Sequence, residues 1–276
     1  MRLALGIVTA AIVGAPGLAG QGVMIAPHAV FIARGARSGS VTLMNPDTAP
    51  VEVSVEVFYG YTATDSTGQL TLRTVEHPDS TQPSAAAWLQ AFPRRLTIAP
   101  REQQVVRMLA TPPAGLPDGE YWARLAFTAK AGQLPVEGVT DTAKVKVGLT
   151  LQVRTIIGVH YRAGLVRTGL SLSGLRAVRH GDSVVVHARL ERQGNAAYLG
   201  TVHGTVVGPS GQSVGEFHVP VTVFFANEPR WAVAIGSAPA GRYQLRVEVS
   251  TERDDLSQEV MLPFPVVRDS VEVAAP

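Results

Sequence analysis

The sequence predicts an all-β protein built as two β-sandwiches in tandem. Three observations predict it. Short runs of alternating apolar and polar residues recur along the chain, separated by Gly, Pro, Asn and Asp, with few helix-favouring runs between them. That alternation is the period of a strand, whose successive side chains point to opposite faces. The turn Leu116-Pro117-Asp118-Gly119-Glu120-Tyr121 has a counterpart in Ala238-Pro239-Ala240-Gly241-Arg242-Tyr243, so two halves of similar build are expected. Finally, the run from Lys144 to Arg162 alternates without a break and is far longer than the usual strand of about five or six residues.

The elements follow in order. Residues 1–19 read as an export signal: Arg2 supplies the charge, Leu3 to Val13 the apolar stretch, and Ala15-Pro16-Gly17-Leu18-Ala19 a breaker with small residues. Cleavage is expected after Ala19 or Gly20. The apolar stretch falls short of the ~20 residues of a membrane span. Gly22 to Ala33 is a strand interrupted by Pro27, which cannot donate a ladder bond, so it lies at an edge or changes partner there. Ser40 to Met44 is a strand closed by Asn45-Pro46-Asp47. Val51 to Tyr59 places Val51, Val53, Val55 and Val57 inward and Glu52, Ser54 and Glu56 outward. Asp65-Ser66-Thr67-Gly68 is a turn before a short strand over Gln69 to Val75, and Glu76 to Ala86 is loop. Ala85 to Leu89 makes at most a helical turn. Leu96 to Ile98, Val105 to Ala110 and Glu120 to Lys130 are strands, the last with Tyr121, Ala123, Leu125 and Phe127 on one face. Strands at this spacing indicate a sandwich of immunoglobulin type over residues 20–163.

Ala163-Gly164 reads as a hinge. A second sandwich is expected over 164–268, with strands at Leu170 to Val178, Ser183 to Gln193, Tyr198 to Val207, Val219 to Phe225, Arg230 to Ile235, Tyr243 to Ser250 and Glu259 to Val267. Residues 269–276 read as a frayed tail.

Composition bounds the function. The 276 residues carry a net charge of +2 and are 46% hydrophobic, ample for two cores. Charges of both signs are interspersed, and no basic block with interleaved aromatics points to nucleic acid. The chain has no cysteine, so thiol chemistry, disulfides and cysteine-ligated metals are excluded. The seven histidines are not spaced as metal ligands, although His187 and His203 sit on expected neighbouring strands and His28 and His160 on adjacent ones. No nucleophile elbow, P-loop or dinucleotide fingerprint occurs, and Asp65-Ser66-Thr67-Gly68 resembles an aspartic-protease triplet only with an extra residue and in a single copy. No enzyme and no cofactor is expected.

The long run carries the functional expectation. One register reads Val145, Val147, Leu149, Leu151, Val153, Thr155, Ile157, Val159 and Tyr161, almost wholly apolar. The other is mostly polar, from Lys144 to Arg162. A strand of this length either runs past its own sheet or offers a spare stretch to something else.

Four stretches resemble the periplasmic chaperones of fimbrial (pilus) assembly. They are Ala29-Val30-Phe31 on the first strand, Ser40 to Leu43 followed by Asn45-Pro46, the run Pro93-Arg94-Arg95-Leu96 through Arg107, and Leu116 to Tyr121 leading to the strand that ends in Tyr161-Arg162. Together they span most of residues 23–162. The resemblance implies two immunoglobulin-like domains set as a boomerang and a periplasmic location. It also implies that the long strand is lent to a pilin-like or other envelope subunit lacking one of its own, with an usher as a further partner. The donor residues implied are Val147, Leu149, Leu151 and Val153. The family holds its subunit's C-terminal carboxylate with an Arg on the first strand and a Lys on the donor strand. Here those positions are His28, which when protonated would bind the carboxylate weakly, and Gly158; Arg34, Arg37, Arg154 or Arg162 would substitute from nearby. The alternative is a structural or adhesive envelope module without chaperone activity. An exposed strand also invites self-association.

Overall fold

The computed structural model describes residues 22–130, 152–239 and 241–274. All regular elements but one short turn of 3-10 helix are strands, and they form two sandwiches. The first holds β1 (Met24–Ala26), β2 (Ala29–Ala33), β3 (Ser38–Met44), β4 (Val51–Phe58), β5 (Gly60–Thr64), β6 (Leu70–Thr74), β7 (Leu89–Phe92), β8 (Arg95–Ile98), β9 (Gln103–Ala110), β10 (Gly119–Lys130) and β11 (Gln152–Ala163). The second holds β12 (Thr168–His180), β13 (Ser183–Gly194), β14 (Tyr198–Val207), β15 (Ser213–Val223), β16 (Ala226–Asn227), β17 (Arg230–Ala234), β18 (Gln244–Ser250) and β19 (Val267–Glu272).

In the first sandwich, a sheet ordered β1-β3-β9-β7 packs on one ordered β2-β11-β10-β4-β8. Pro27 acts as expected: β1 pairs antiparallel with β3 in one sheet and β2 parallel with β11 in the other, so the chain changes sheets where it lacks a donor. The inward register of each strand builds the core. Ile32, Val41, Leu43, Val106, Leu125 and Val159 are fully buried there. In the second sandwich β13 pairs β12, β16 and β17, facing the sheet β15-β14-β18-β19. Its core gathers Val184, Val186, Leu190, Val202 and Leu245.

The turn shared by the two halves has one physical function in both. The Tyr121 hydroxyl donates to the Pro117 carbonyl at 3.1 Å, and the Tyr243 hydroxyl donates to Pro239 at 2.6 Å. Each tyrosine thereby ties the entry of its strand to the turn before it, as a tyrosine corner does. Tyr121→Phe and Tyr243→Phe should each lose about 0.5–1.5 kcal/mol in urea denaturation. The loss should be larger for Tyr243, which is 3% exposed, than for the more open Tyr121.

Three expectations are corrected and one strand is added. Leu89 to Phe92 is strand β7, not the end of a helical turn, because Leu89 and Ala91 face the core and pair with β9. Gly60 to Thr64 is a strand, β5, forming a hairpin with β6 around the Asp65-Gly68 turn. The strand expected over Glu259 to Val267 is absent: Gln258–Val260 is a 3-10 turn and irregular chain follows. The last strand lies instead at Val267–Glu272, in register with β18, running from the end of that expected strand into the segment read as a frayed tail. Val267 and Val271, packed against the core, drive that pairing.

Candidate functional site

The long strand enters the described residues at Gln152. From there to Ala163 it pairs with β10 along its whole length, Gln152 opposite Lys130 and Ala163 opposite Gly119. On its other side β2 covers only Gly158 to Arg162. Among the described residues, no strand lies against that side from Gln152 to Ile157, so a row of main-chain donors and acceptors stands open there. The two faces of this stretch differ. Val153 and Thr155 are half-buried and Ile157 is 3% exposed, continuing the core register. Gln152 and Arg154 are exposed. Ile156 is an apolar residue on the outer face, 36% exposed.

That outer face turns toward the second sandwich. At its C-terminal end a buried carboxylate joins the two halves. Glu120 Oε1 accepts from Trp122 Nε1 at 2.8 Å, from the Ala197 amide at 3.2 Å and meets His160 Nδ1 at 2.9 Å; Oε2 accepts from Arg162 Nε at 2.8 Å. Burial alone pushes this carboxyl up. The charges and hydrogen bonds of His160 and Arg162 outweigh it and bring the carboxyl from 4.5 to about 2. Around it runs a column of three rings closed at each end by a guanidinium: Arg162 over Phe31 at 4.7 Å, Phe31 stacked on His160 at 4.7 Å, His160 near-parallel to Phe224 at 5.9 Å, and Arg124 over Phe224 at 4.8 Å. Phe224 belongs to the second sandwich, so the column crosses the junction. Tyr59, Tyr61, Trp122, Ala197 and Phe224 form a small core of their own beside it. The β5–β6 hairpin braces the same junction: the Arg230 amide donates to Gly68 O at 3.0 Å and the Glu228 amide to Thr64 Oγ1 at 2.7 Å.

The structure sorts the sequence-derived residues. Val147, Leu149 and Leu151 lie outside the described residues; Val153 sits at the open edge. His28 is exposed just before β2, near enough to the second sandwich to add a minor lowering to Asp255, whose carboxyl is held down chiefly by its hydrogen bond to Arg253. Arg34 and Arg37 are exposed in the turn beyond the far end of β2. Arg154 is paired with Glu56 at 2.9 Å, and Arg162 with Glu120. His28 and His160 do not meet, since His160 is buried against Glu120. His187 and His203 fall in different sheets.

The cation that does stand at Gly158 comes from β10. Arg124 is the direct cross-strand partner of Gly158. A Cβ built on Gly158 would lie 3.3 Å from Arg124 Nη1 and 3.1 Å from His160 Nε2, so the glycine leaves the space this guanidinium fills. Arg124 Nε donates to Gly60 O at 3.0 Å, while Nη2 is buried without a hydrogen-bond partner among the described residues. Burial lowers its pKa to about 10, so it stays cationic at neutral pH. Arg124 shares the outer register of Glu120 to Lys130 with Glu120, Thr128 and Lys130, so the sequence alone does not single it out. Its position opposite Gly158 needed the β10–β11 register.

No family model matches the chain, and no curated protein matches it. Solved structures do. The YadV chaperone aligns at 14% identity with a TM-score of 0.44, covering 91% of this chain and 99% of its own. The Escherichia coli chaperone DraB aligns at 12% identity and a TM-score of 0.42, covering 91% and 96%. The Salmonella enterica SafA pilin in complex with the SafB chaperone gives 14% identity and 0.39, again over 91% and 96%. Likeness at this level carries no argument about what this chain does.

Proposed function

We propose that the protein is an exported, periplasmic chaperone that completes a strand-deficient envelope subunit, pilin-like in kind, by lending it β11 and the apolar register that precedes it. The observation that carries this reading is the open side of β11 from Gln152 to Ile157, flanked by a neighbour that stops at Gly158. Strand addition supplies main-chain hydrogen bonds along such an edge, and alternate side chains supply specificity. Val153 lies on that edge, and Val147, Leu149 and Leu151 continue its register in the sequence. Each such side chain contributes roughly 1.5–3 kcal/mol when buried.

The geometry also bears on the partner's chain end. A strand laid beside β11 in line with β2, and running the same way, has to stop where β2 begins. Its last residue then lies by Gly158, under the unpaired Nη2 of Arg124. In this reading Arg124 takes the terminal carboxylate, with His28 at the mouth and Arg154 and Arg162 held by their own partners. Delivery to an usher would follow release from this edge.

The test is recovery of partner from a periplasmic fraction by wild type, Leu151→Asp and Val153→Asp, with folding checked by circular dichroism. Equal recovery by all three sinks the proposal. Hydrogen exchange separates it from a purely structural module. Outward-pointing amides between Gln152 and Ile157 should exchange fast in the free protein and be protected with partner bound. Arg124→Gln should weaken a partner with a free C-terminus by roughly 2–5 kcal/mol and leave a C-terminally amidated one unchanged.

A further inference from the structure

The outer face of the sheet built on β12, β13 and β17 carries a row of basic side chains. Ala177, Val186 and Val233 point into the core, so their neighbours in the chain point out. Arg176 is the direct cross-strand partner of His187, and His187 is in turn the partner of Arg230. Strands lie about 4.8 Å apart, so the two arginines start roughly 10 Å from each other with the imidazole between them. Like charges side by side across a ladder are destabilising. Acids stand nearby, but they are engaged elsewhere. Glu191 and Glu228 both pair with Arg189, at 3.2 and 2.6 Å. Asp65, on the turn of the β5–β6 hairpin, accepts from the Thr67 hydroxyl and from the amides of Thr67 and Gln69. Among the described residues, neither Arg176 nor Arg230 has its side chain in an ion pair or hydrogen bond.

The row is also set in a recess. Beside it opens a cleft of about 500 Å³, with Ser66 and Gly68 of the hairpin turn on one side and Gly174, Arg176 and His187 on the other. The turn is seated on β17: a Cβ built on Gly68 would come 2.6 Å from the Arg230 Cβ, and the Arg230 amide donates to the Gly68 carbonyl at 3.0 Å. On β12 the ladder slips between Ser173 and Arg176, where Gly174 takes a φ of +62° with open space at the place of a side chain. Such a bulge re-aims the strand beside it, here at Arg176. His187 is half-buried between the arginines. Its burial first, and then the charges of Arg176 and Arg230, hold its pKa below the ordinary 6.5.

We propose that Arg176, His187 and Arg230 bind a phosphate group, free or as a monoester lipid headgroup, in the cleft between the second sandwich and the β5–β6 hairpin. The class of ligand follows from the donors. One guanidinium satisfies a carboxylate by itself in a bidentate pair. Two guanidiniums with an imidazole between them match a tetrahedral dianion, whose oxygens point to several sides at once. Ser66 adds a hydroxyl from the turn. The dianion also cancels the repulsion along the row, which the protein's own acids leave standing. The site uses no residue of β11, so it does not rest on the strand-lending reading.

The probe is inorganic phosphate, added to the full chain at constant ionic strength with chloride as the reference, and followed by the ring resonances of His187. The expected result is a saturable shift of those resonances and a rise in the His187 pKa. Arg176→Gln and Arg230→Gln should each weaken phosphate about tenfold, while Arg246→Gln on the opposite sheet should not. Both variants should also raise the His187 pKa in the protein without phosphate and keep the melting temperature, which a misfolded variant cannot do. Vesicles of phosphatidylcholine with phosphatidic acid separate the two sources. Co-sedimentation that Arg176→Gln abolishes assigns the phosphate to a lipid headgroup, and phosphate binding without co-sedimentation assigns it to the free anion. An equal response to chloride, equal weakening by Arg246→Gln, or a His187 ring unmoved by phosphate would each overturn the proposal. Leu151→Asp should bind phosphate as wild type does, so failure here and failure of the strand-lending reading are told apart.

Discussion

Replacing Glu120 with alanine is expected to destabilise the protein by about 3–5 kcal/mol, the usual effect of removing one partner from a buried ion pair. The carboxylate is fully buried and accepts from four donors, two of them the charged or chargeable groups of Arg162 and His160. Its loss leaves those donors facing apolar rings. The melting temperature should fall by about 2–4 °C for each kcal/mol in a chain of this size. The same residue sets a pH dependence whose sign is fixed. Its folded pKa of about 2 lies below the ordinary 4.5, so its contribution is complete above pH 4.5 and lost as pH falls toward 2. Wild type should therefore lose stability across that window, while Glu120→Ala, having no such group, should lose less. Urea titrations of both proteins at neutral pH and near pH 3 check this. A stability gap that stays constant with pH would contradict it.

Trp122→Ala should cost about 3–5 kcal/mol. The indole is 1% exposed, meets Phe224 edge-on at 4.7 Å and Phe225 at 5.5 Å, and lies under the Arg192 guanidinium at 5.6 Å. Its main chain is also tied, accepting from Ala85 and donating to Pro83 at 2.8 and 2.7 Å. The effect is therefore expected at the junction as much as within the first core. Trp122→Phe keeps an aromatic ring but gives up the bond to Glu120 and part of the buried indole, so a smaller loss of about 1–3 kcal/mol is expected. Calorimetry should show one transition for wild type and Trp122→Phe. Trp122→Ala should show two, as the sandwiches uncouple. A single transition for Trp122→Ala would mean that the Glu120–Ala197 bond, the Phe224 column and the β5–β6 hairpin hold the halves together without the indole.

Much of the fold was legible because alternation reports burial directly. Val51 to Val57, Tyr121 to Phe127 and the register from Val153 to Tyr161 each face the core as their period requires. Pro27 was legible for a different reason, the donor it lacks. What was missed depends on partners distant in sequence. Leu89 to Phe92 is too short to display a period, and its pairing with β9 decides it. Val267 to Glu272 has an alternation diluted by Arg268, Asp269 and Ser270, and β18 supplies the template. At the candidate site, the core face of β11 was readable, but the place of Arg124 was not. The resemblance implies charge at His28 and Gly158, whereas Arg124 reaches Gly158 from β10. The Glu120 cluster was likewise hidden, since its members come from both sandwiches.

The sheet change at Pro27 also constrains the order of assembly. Val30 pairs with Val159, so the strand that leaves the ribosome near the start of the chain waits for the last strand of its own sandwich before its sheet is complete. Such distant closure is slow, and it exposes half-built edges meanwhile. Chains truncated before Gly158 should therefore fail to protect β2, however much of the sandwich they contain. The strand proposed to be lent to a partner is therefore also the one that closes the sandwich carrying it.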